Sequence, residues 1–415
     1  MIDQCSLELT PMLTIDAALL RINEAIEVIS ESEKITLKEA LGRVLAEPVY
    51  SSINIPQERN AAMDGYAFSS SGINTKKTFI LNKVGVSWAG QPFKGELLAG
   101  QCVRIFTGAV LPAEADSVIM QEHVQVDEQF IHFPVEVDLG QNIREMGEDI
   151  KQGSLLVAPL HKLTAIDMGL LASAGIEYVT VKRRVKIAFF STGDELVGLG
   201  QPLASGQIYD SNRYTLSGLL CDASYSVTDM GVIPDNRQLL QDSFLEAAQN
   251  HDVIITTGGA SVGEADYVKE ILSHCGTVDF WKIAIKPGKP LAFGKIGRCY
   301  FFGLPGNPVA VIVTFKYIVE PALKQLAGAP IMNRIQLTAR CTSSLKKAPG
   351  RQEYQRGILS QEMNGEFLVA SSGKQGSNIL SAISHANCYI VLPIECSGVQ
   401  VGDKVRVDLI SDTFY

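Results

Sequence analysis

Two glycines and two carboxylates stand at the mouth of one apolar run. The segment "DVIITT" reads as a buried strand that stops at Gly258-Gly259, and Glu264 and Asp266 follow within "TTGGASVGEADYVKE", residues 256–270. Glycine at such a point lets the backbone approach a ligand or adopt positive φ. A helix N-terminus just beyond would offer free N–H groups to an anion. Carboxylates beside it point to a divalent cation shared with phosphate oxygens, because magnesium takes oxygen ligands from both. The plainer reading is a strand–turn–helix connection whose acids favour the helix dipole.

Other segments repeat this chemistry. "STGDEL" places Asp194 and Glu195 straight after an apolar run, where Glu195 could ligate a metal or a ligand hydroxyl. "IKPGKPLAFG" sets Lys286 and Lys289 around Pro287-Gly288, two cations suited to phosphate or an oxyanion. "GLPGNPVA" frames Gly306-Asn307 with Pro305 and Pro308. Pro308 fits a first helical position, and the loop is expected to turn N–H groups outward. Further toward the N-terminus, "NAAMDGYAF" carries Asp64, which before a glycine can equally be a turn residue. "FTGAVLPAEADSVIMQE" offers Thr107 and Gly108, and "NIREMGEDIKQG" offers Arg144, Glu148 and Asp149. A Walker A loop, a GxGxxG after a strand and HExxH are missing, so the chemistry rests on acids, glycines and lysines.

The elements that must position these groups follow four textures. Residues 12–32 have helical apolar spacing, with Thr14 a weak cap. From 54 to 146, short β-rich runs alternate with Gly/Pro turns, as in a small all-β domain. "HKLTAIDMGLLASAGI" restores helical character, capped by Thr164 and ended by Gly175. It is expected to pack with the first helix. The β-rich run would then be an insertion into an N-terminal mixed α/β domain of residues 1–53 and 147–182. Residues 183–330 alternate five apolar strands with helices, the pattern of a doubly wound parallel sheet. Ligands bind such sheets beyond the strand carboxyl ends, where "STGDEL", "TTGGAS" and "GLPGNP" all fall. Residues 331–415 return to short strands and read as a small β barrel. The fold class is therefore multidomain α/β, with a central doubly wound domain, an inserted β domain and a C-terminal barrel.

The chain has 415 residues and a net charge of −9, which argues against general nucleic-acid binding. Its eight cysteines form no CxxC pair and read as buried thiols of a reducing compartment. No signal peptide and no membrane span are expected, so the expected location is cytoplasmic.

Eight segments in order, "NAAMDGYAF", "FTGAVLPAEADSVIMQE", "REMGEDIKQG", "STGDEL", "TTGGASVGEADYVK", "FWKIAIKPGKPLAFGK", "GLPGNPVA" and "QGSNILSAISHANCYIVLP", closely resemble the molybdopterin molybdenumtransferase family (MoeA), related to the gephyrin E domain. The resemblance spans nearly the whole chain. It implies a four-domain homodimer that takes adenylated molybdopterin and molybdate, releases AMP and uses magnesium. It also implies a site shared between the inserted domain of one subunit and the α/β domain of the other. On that pattern Asp64, Glu195 and Asp266 are catalytic, with Glu195 and Asp266 at the metal. Thr107, Arg144, Asp149, Asp235, Gly258, Gly259, Ser261, Lys286, Lys289, Pro305, Pro308 and Ser377 contact substrate. Transient contact with the adenylyltransferase and with downstream cofactor-delivery proteins is also implied. Ala61, Ala310 and Asn378 depart from the usual residues. Two other classes stay open. One is a molybdopterin adenylyltransferase, although that group carries Thr-Gly-Gly-Thr-Gly where this chain has Thr-Gly-Gly-Ala-Ser. The other is a non-catalytic cofactor-binding scaffold.

Overall fold

A computed structural model describes residues 12–134, 137–258, 267–331 and 335–410. The first helix, α1 (Ile15–Ala25), is capped by Thr14, whose hydroxyl accepts the Ala17 N–H at 3.1 Å. Its buried face, Ile15, Ala18 and Ile22, joins the core of the α/β domain. The helix α2 (Ala165–Ser173) packs elsewhere, through Leu171 onto Ala40, Leu45, Val179 and Val181. The expected pairing of these two helices is thus corrected: the apolar stripe of α1 finds the larger apolar surface. The capping box at Thr164 is completed by Asp167. The N-terminal domain is closed by β1 (Ser32–Thr36) running antiparallel to β8 (Tyr178–Lys182).

Between those strands lies a six-stranded sheet. Its strands are β2 (Gly65–Phe68), β3 (Phe79–Ser87), β4 (Gln101–Ile105), β5 (Ser117–Met120), β6 (Gln125–Asp127) and β7 (Phe130–Phe133). Their spatial order is β5-β2-β4-β3-β7-β6. Alternate residues of β2 enter two apolar clusters, Ala67 into one and Tyr66 and Phe68 into the other. This is the period of two that a strand imposes.

The α/β domain is built on β9 (Val185–Thr192), β10 (Tyr225–Ile233), β11 (Val253–Thr257), β12 (Thr277–Lys282), β13 (Pro290–Ile296) and β14 (Cys299–Leu304), in the order β10-β9-β11-β14-β13-β12. Ile187 and Phe189 face one core, and Ala188 and Phe190 face the other. Helices cover both faces, which explains why the strands are continuously apolar. Four strands pair in parallel, whereas β13 runs against both neighbours, so β12 points the same way as those four. The segment 290–296 is a sixth strand beyond the five expected from the sequence. A tight return from β12 makes it a strand. The run "VDFWKIAI" also divides: β12 ends at Lys282, and Ile285–Lys286 pairs parallel with Gln352 and Glu353 of the next domain.

After β14, Pro308 opens a helical rod of two α segments, Pro308–Thr314 and Glu320–Leu326, joined by a π turn at Phe315–Val319. The last domain holds β15 (Leu337–Cys341), β16 (Gln352–Gln361), β17 (Phe367–Ser371), β18 (Cys388–Leu392) and β19 (Lys404–Leu409). The order β16-β17-β15-β19-β18 closes by a β16–β18 pairing, giving the expected barrel. No helix among the described residues is long and apolar enough to cross a membrane.

Candidate active site

Strand register brings the rim loops together. Thr192 pairs with Ile233, Ser191 with Thr257, and Thr257 with Leu304. The residues that follow, Asp194-Glu195, Asp235, Gly258 and Pro305-Gly306, therefore leave the sheet side by side. The Asp235 N–H donates to Asp194 Oδ1 at 3.1 Å. Withdrawal of the Asp235 carboxyl from water, then the charges of Asp194 and Glu195, raise its pKa above the ordinary aspartate value. Crowded carboxylates of this kind favour a bound cation or proton. Gly258 has φ +90°, and a Cβ there would stand 2.6 Å from the Thr192 carbonyl oxygen. The neighbouring strand alone therefore demands glycine at this position. Gly259, Ser261, Glu264 and Asp266 lie outside the described residues.

A cleft of about 630 Å³ lies between the α/β domain and the barrel. Lys286, Lys289, Pro305 and Ser377 all line it, so four expected residues from three segments meet. Lys286 Nζ donates to Glu353 Oε1 at 2.8 Å, and Glu353 is itself buried. One of the two expected cations is thus already compensated. Three further cations line the cleft: Lys346, Arg351 and Arg356. Among the described residues no carboxylate pairs with Lys289, Lys346 or Arg351.

Arg356 is 1% exposed, and its guanidinium donates to the carbonyls of Lys374 at 3.2 Å and Gly376 at 2.9 Å. Its Nε has no hydrogen-bond partner. Burial lowers its pKa from the ordinary arginine value, which remains far above neutrality. The strand "EYQRGILS" carries this signal in the sequence: one arginine inside an otherwise barrel-like run. Gly288 is required between the lysines by φ +115°, with Thr314 Oγ1 2.5 Å from where a Cβ would lie.

The "GLPGNP" loop is held more tightly than its sequence implies. The Asn212 amide donates to the Gly306 carbonyl at 2.7 Å. The Val309 N–H, expected to face outward, donates to the Ser377 carbonyl at 3.1 Å. Pro308 takes the first helical position as expected. Ala310 lines the cleft, so no hydroxyl is offered there.

The inserted domain holds a second, separate constellation. Asp64 Oδ1 accepts the Thr107 N–H and hydroxyl, both at 2.8 Å. The Thr107 N–H, then its hydroxyl, hold the Asp64 carboxyl below its ordinary value, with Arg104 adding a smaller pull. Arg104 escaped the sequence reading because it sits in the apolar alternation of β4. Its guanidinium donates to the Gly65 carbonyl at 2.8 Å. Arg144 pairs in register with Asn60 on a two-residue strand, and the Asp149 N–H donates to the Ile55 carbonyl at 3.0 Å. Both side chains are exposed. Among the described residues no hydrogen bond or ion pair joins this constellation to the basic cleft of the same chain.

Comparison with known proteins agrees with this architecture. Residues 13–175 match the family described as MoeA N-terminal region (domain I and II). Residues 188–325 match the probable molybdopterin binding domain, and residues 338–410 the MoeA C-terminal region (domain IV). The molybdopterin molybdenumtransferase of Haemophilus influenzae is 44% identical over 96% of this chain and 98% of its own length. Gephyrin of Dictyostelium discoideum is 33% identical over 94% of this chain and 62% of its own length. The crystal structure of the molybdopterin biosynthesis moeA protein from Pyrococcus horikoshii superposes with a TM-score of 0.82 at 28% identity. That match covers 96% of this chain and 100% of the other. With domain order, fold and near-complete coverage in agreement, the chain belongs to the molybdopterin molybdenumtransferase family and is an enzyme of molybdenum cofactor biosynthesis.

Proposed function

We propose that this chain inserts molybdate into adenylated molybdopterin with magnesium-dependent release of AMP. The observation that carries the reading is the cleft. Five cations and one carboxylate line it, in a chain whose net charge is −9. A concave site with that balance attracts and concentrates anions, and both the oxyanion and the phosphates of the pterin substrate are anionic. Lys289, Arg351 and Arg356 hold the anion in this reading. Lys286, steadied by Glu353, is a positioned donor whose charge is partly met already.

Breaking the adenylate linkage needs an oxygen atom at phosphorus and stabilisation of the AMP that leaves. No covalent protein nucleophile is required, because a molybdate oxygen or water can attack. Asp64, kept ionised by Thr107, can orient an attacking water by accepting its hydrogen bond. Asp194, Glu195 and Asp235 offer hard oxygen donors, and their mutual repulsion fits a divalent cation. Among the described residues no three acidic side chains stand at metal-ligand spacing. Magnesium takes one or two carboxylates and completes its shell with waters and substrate phosphates. Glu195 and Asp266 are the proposed holders. Bound there, magnesium would draw charge from the phosphoanhydride as a Lewis acid.

The acidic constellation of the inserted domain and the basic cleft are separate within one chain. We therefore propose a homodimer in which one subunit's Asp64, Thr107, Arg144 and Asp149 face the other's rim. Transient contacts with the adenylyltransferase and with downstream delivery proteins belong to the same proposal, as does a cytoplasmic location.

The test is a coupled assay with adenylated molybdopterin, magnesium and molybdate. AMP release that depends on molybdate supports the transferase. Consumption of ATP would identify an adenylyltransferase instead, and neither product would leave a binding module.

A further inference from the structure

The strand β3 ends at Ser87, and the chain turns back through a tight loop. Trp88 and Gln91 exchange N–H···O bonds of 3.0 and 2.9 Å across it. This fixes Trp88 against Phe106, their ring centroids 3.9 Å apart and their planes 7° from parallel. Behind Phe106 lies the Arg104 guanidinium, 4.5 Å from that ring and 5.2 Å from Tyr66. Arg104 is itself fixed by the Gly65 and Ile105 carbonyls and by Gln121. The result is a ladder of Trp88, Phe106, Arg104 and Tyr66 with every rung pinned.

The ladder has one open end. Trp88 is 50% exposed, and among the described residues Phe106 is the one ring stacked on it. Isolated exposed aromatics are ordinary on protein surfaces, and a cover for Phe106 would be a sufficient explanation of Trp88 alone. Position weighs against that explanation. Phe106 directly precedes Thr107, whose N–H and hydroxyl hold Asp64. The loop that carries Phe106, the ring on which Trp88 stacks, is therefore also the loop that sets the reactive carboxylate.

We propose that the free face of Trp88 is a stacking platform for a planar nitrogen heterocycle of the substrate, the adenine or the pterin. This rests on the transferase reading above, which brings a ring-bearing anion to Asp64. An aromatic face accepts any such ring without reading its edges. The cation behind Phe106 polarises the stack, and a pinned indole loses little freedom on binding. Trp88 is thus a positioning residue for the substrate.

The chain has two tryptophans, Trp88 and Trp281. Trp281→Phe in the full-length chain leaves Trp88 as the sole indole emitter. Titration with AMP, with a soluble pterin and with ribose 5-phosphate, which lacks a ring, reads the platform without turnover. The expected result is quenching of Trp88 by AMP or by the pterin, which also tells the two rings apart, and none by ribose 5-phosphate. Trp88→Ala should weaken the quenching ligand roughly tenfold to a hundredfold by calorimetry, the range of one lost base–aromatic stack. Trp88→Phe should stay within about threefold of the parent. Unchanged emission at saturation with both rings, or equal affinity of Trp88→Ala and parent, would overturn the platform. Molybdate-dependent AMP release by the parent is scored separately, so the transferase reading can stand while the platform falls. Quenching without AMP release would keep the platform and remove the transferase.

Discussion

Asp64 and Arg356 are both held by main-chain atoms, but they carry charge in different ways. Asp64 is partly exposed and receives its two hydrogen bonds from a single residue, Thr107. Its neighbours favour the ionised form. Arg356 is buried and donates to two carbonyls of the Lys374–Gly376 segment. Burial disfavours its charge, and an unpartnered Nε remains. The first is a carboxylate prepared at a surface, which a partner can approach. The second is a cation prepared at depth, where low dielectric strengthens its pull on an anion. In the proposed dimer the surface of one subunit would close over the cleft of the other.

The largest expected effect tests the surface half. Asp64→Ala should lower AMP release by on the order of a hundredfold or more, the scale of about 3 kcal/mol of lost transition-state stabilisation. Its thermal melt should barely move, since a partly exposed carboxylate contributes within about half a kcal/mol. Loss of activity through unfolding would return Asp64 to the status of a turn residue.

Mixing sharpens the separation. Asp64→Ala and Glu195→Ala chains, each inactive alone, should regain about a quarter of wild-type turnover when randomly paired, because half the dimers then carry one intact composite site. If mixed dimers form, as native mass spectrometry can show, and no activity returns, the two halves act within one chain.

Arg356→Met tests the depth half. It strands the Lys374 and Gly376 carbonyls, so it should cost roughly 1–3 kcal/mol of stability in denaturant titrations. It should also weaken molybdate binding measured by calorimetry. Unaltered molybdate affinity in a folded variant would remove Arg356 from the anion site.

The smallest effects are shifts with pH. A carboxyl held below its ordinary value contributes stability above the unfolded pKa, and that contribution is lost as pH falls through the folded one. Thr107→Val keeps the N–H and removes the hydroxyl, so Asp64 should titrate closer to the ordinary value. The acid limb of the rate profile should then move upward. Asp235 has the opposite sign. Its pKa is raised, so stability falls as pH rises from the ordinary aspartate value through the raised one. Asp235→Asn should therefore raise the melting temperature at neutral pH, and the gain should vanish below about pH 4. A gain that persisted in acid would have another cause.

Much of this could be read along the chain. The apolar runs at 185–192, 253–257 and 299–304 are long, β-rich and bounded by glycine or proline, so the rim loops follow directly. The caps at Thr14 and Thr164 and the helix start at Pro308 depend on neighbours within a few residues. Other features depend on distant ones. The strand 290–296 exists because β12 and β14 flank it. Lys286 is compensated because its two-residue strand meets Glu353. The Val309 N–H is taken by a carbonyl some seventy positions away, at Ser377.

By itself the sequence determined the family motifs, the order of the domains, and the residue types that can hold anions and a divalent cation, because periodicity, capping and turn chemistry are local. The tertiary structure decided which of those groups meet. It put Lys289, Arg356 and Ser377 around one cleft, set Thr107 on Asp64, and stacked Trp88 on Phe106. Each of these pairings closes a loop between strands or domains. Such a contact forms only when burial of distant apolar surfaces repays the entropy of closing it, and no short window of sequence records that balance.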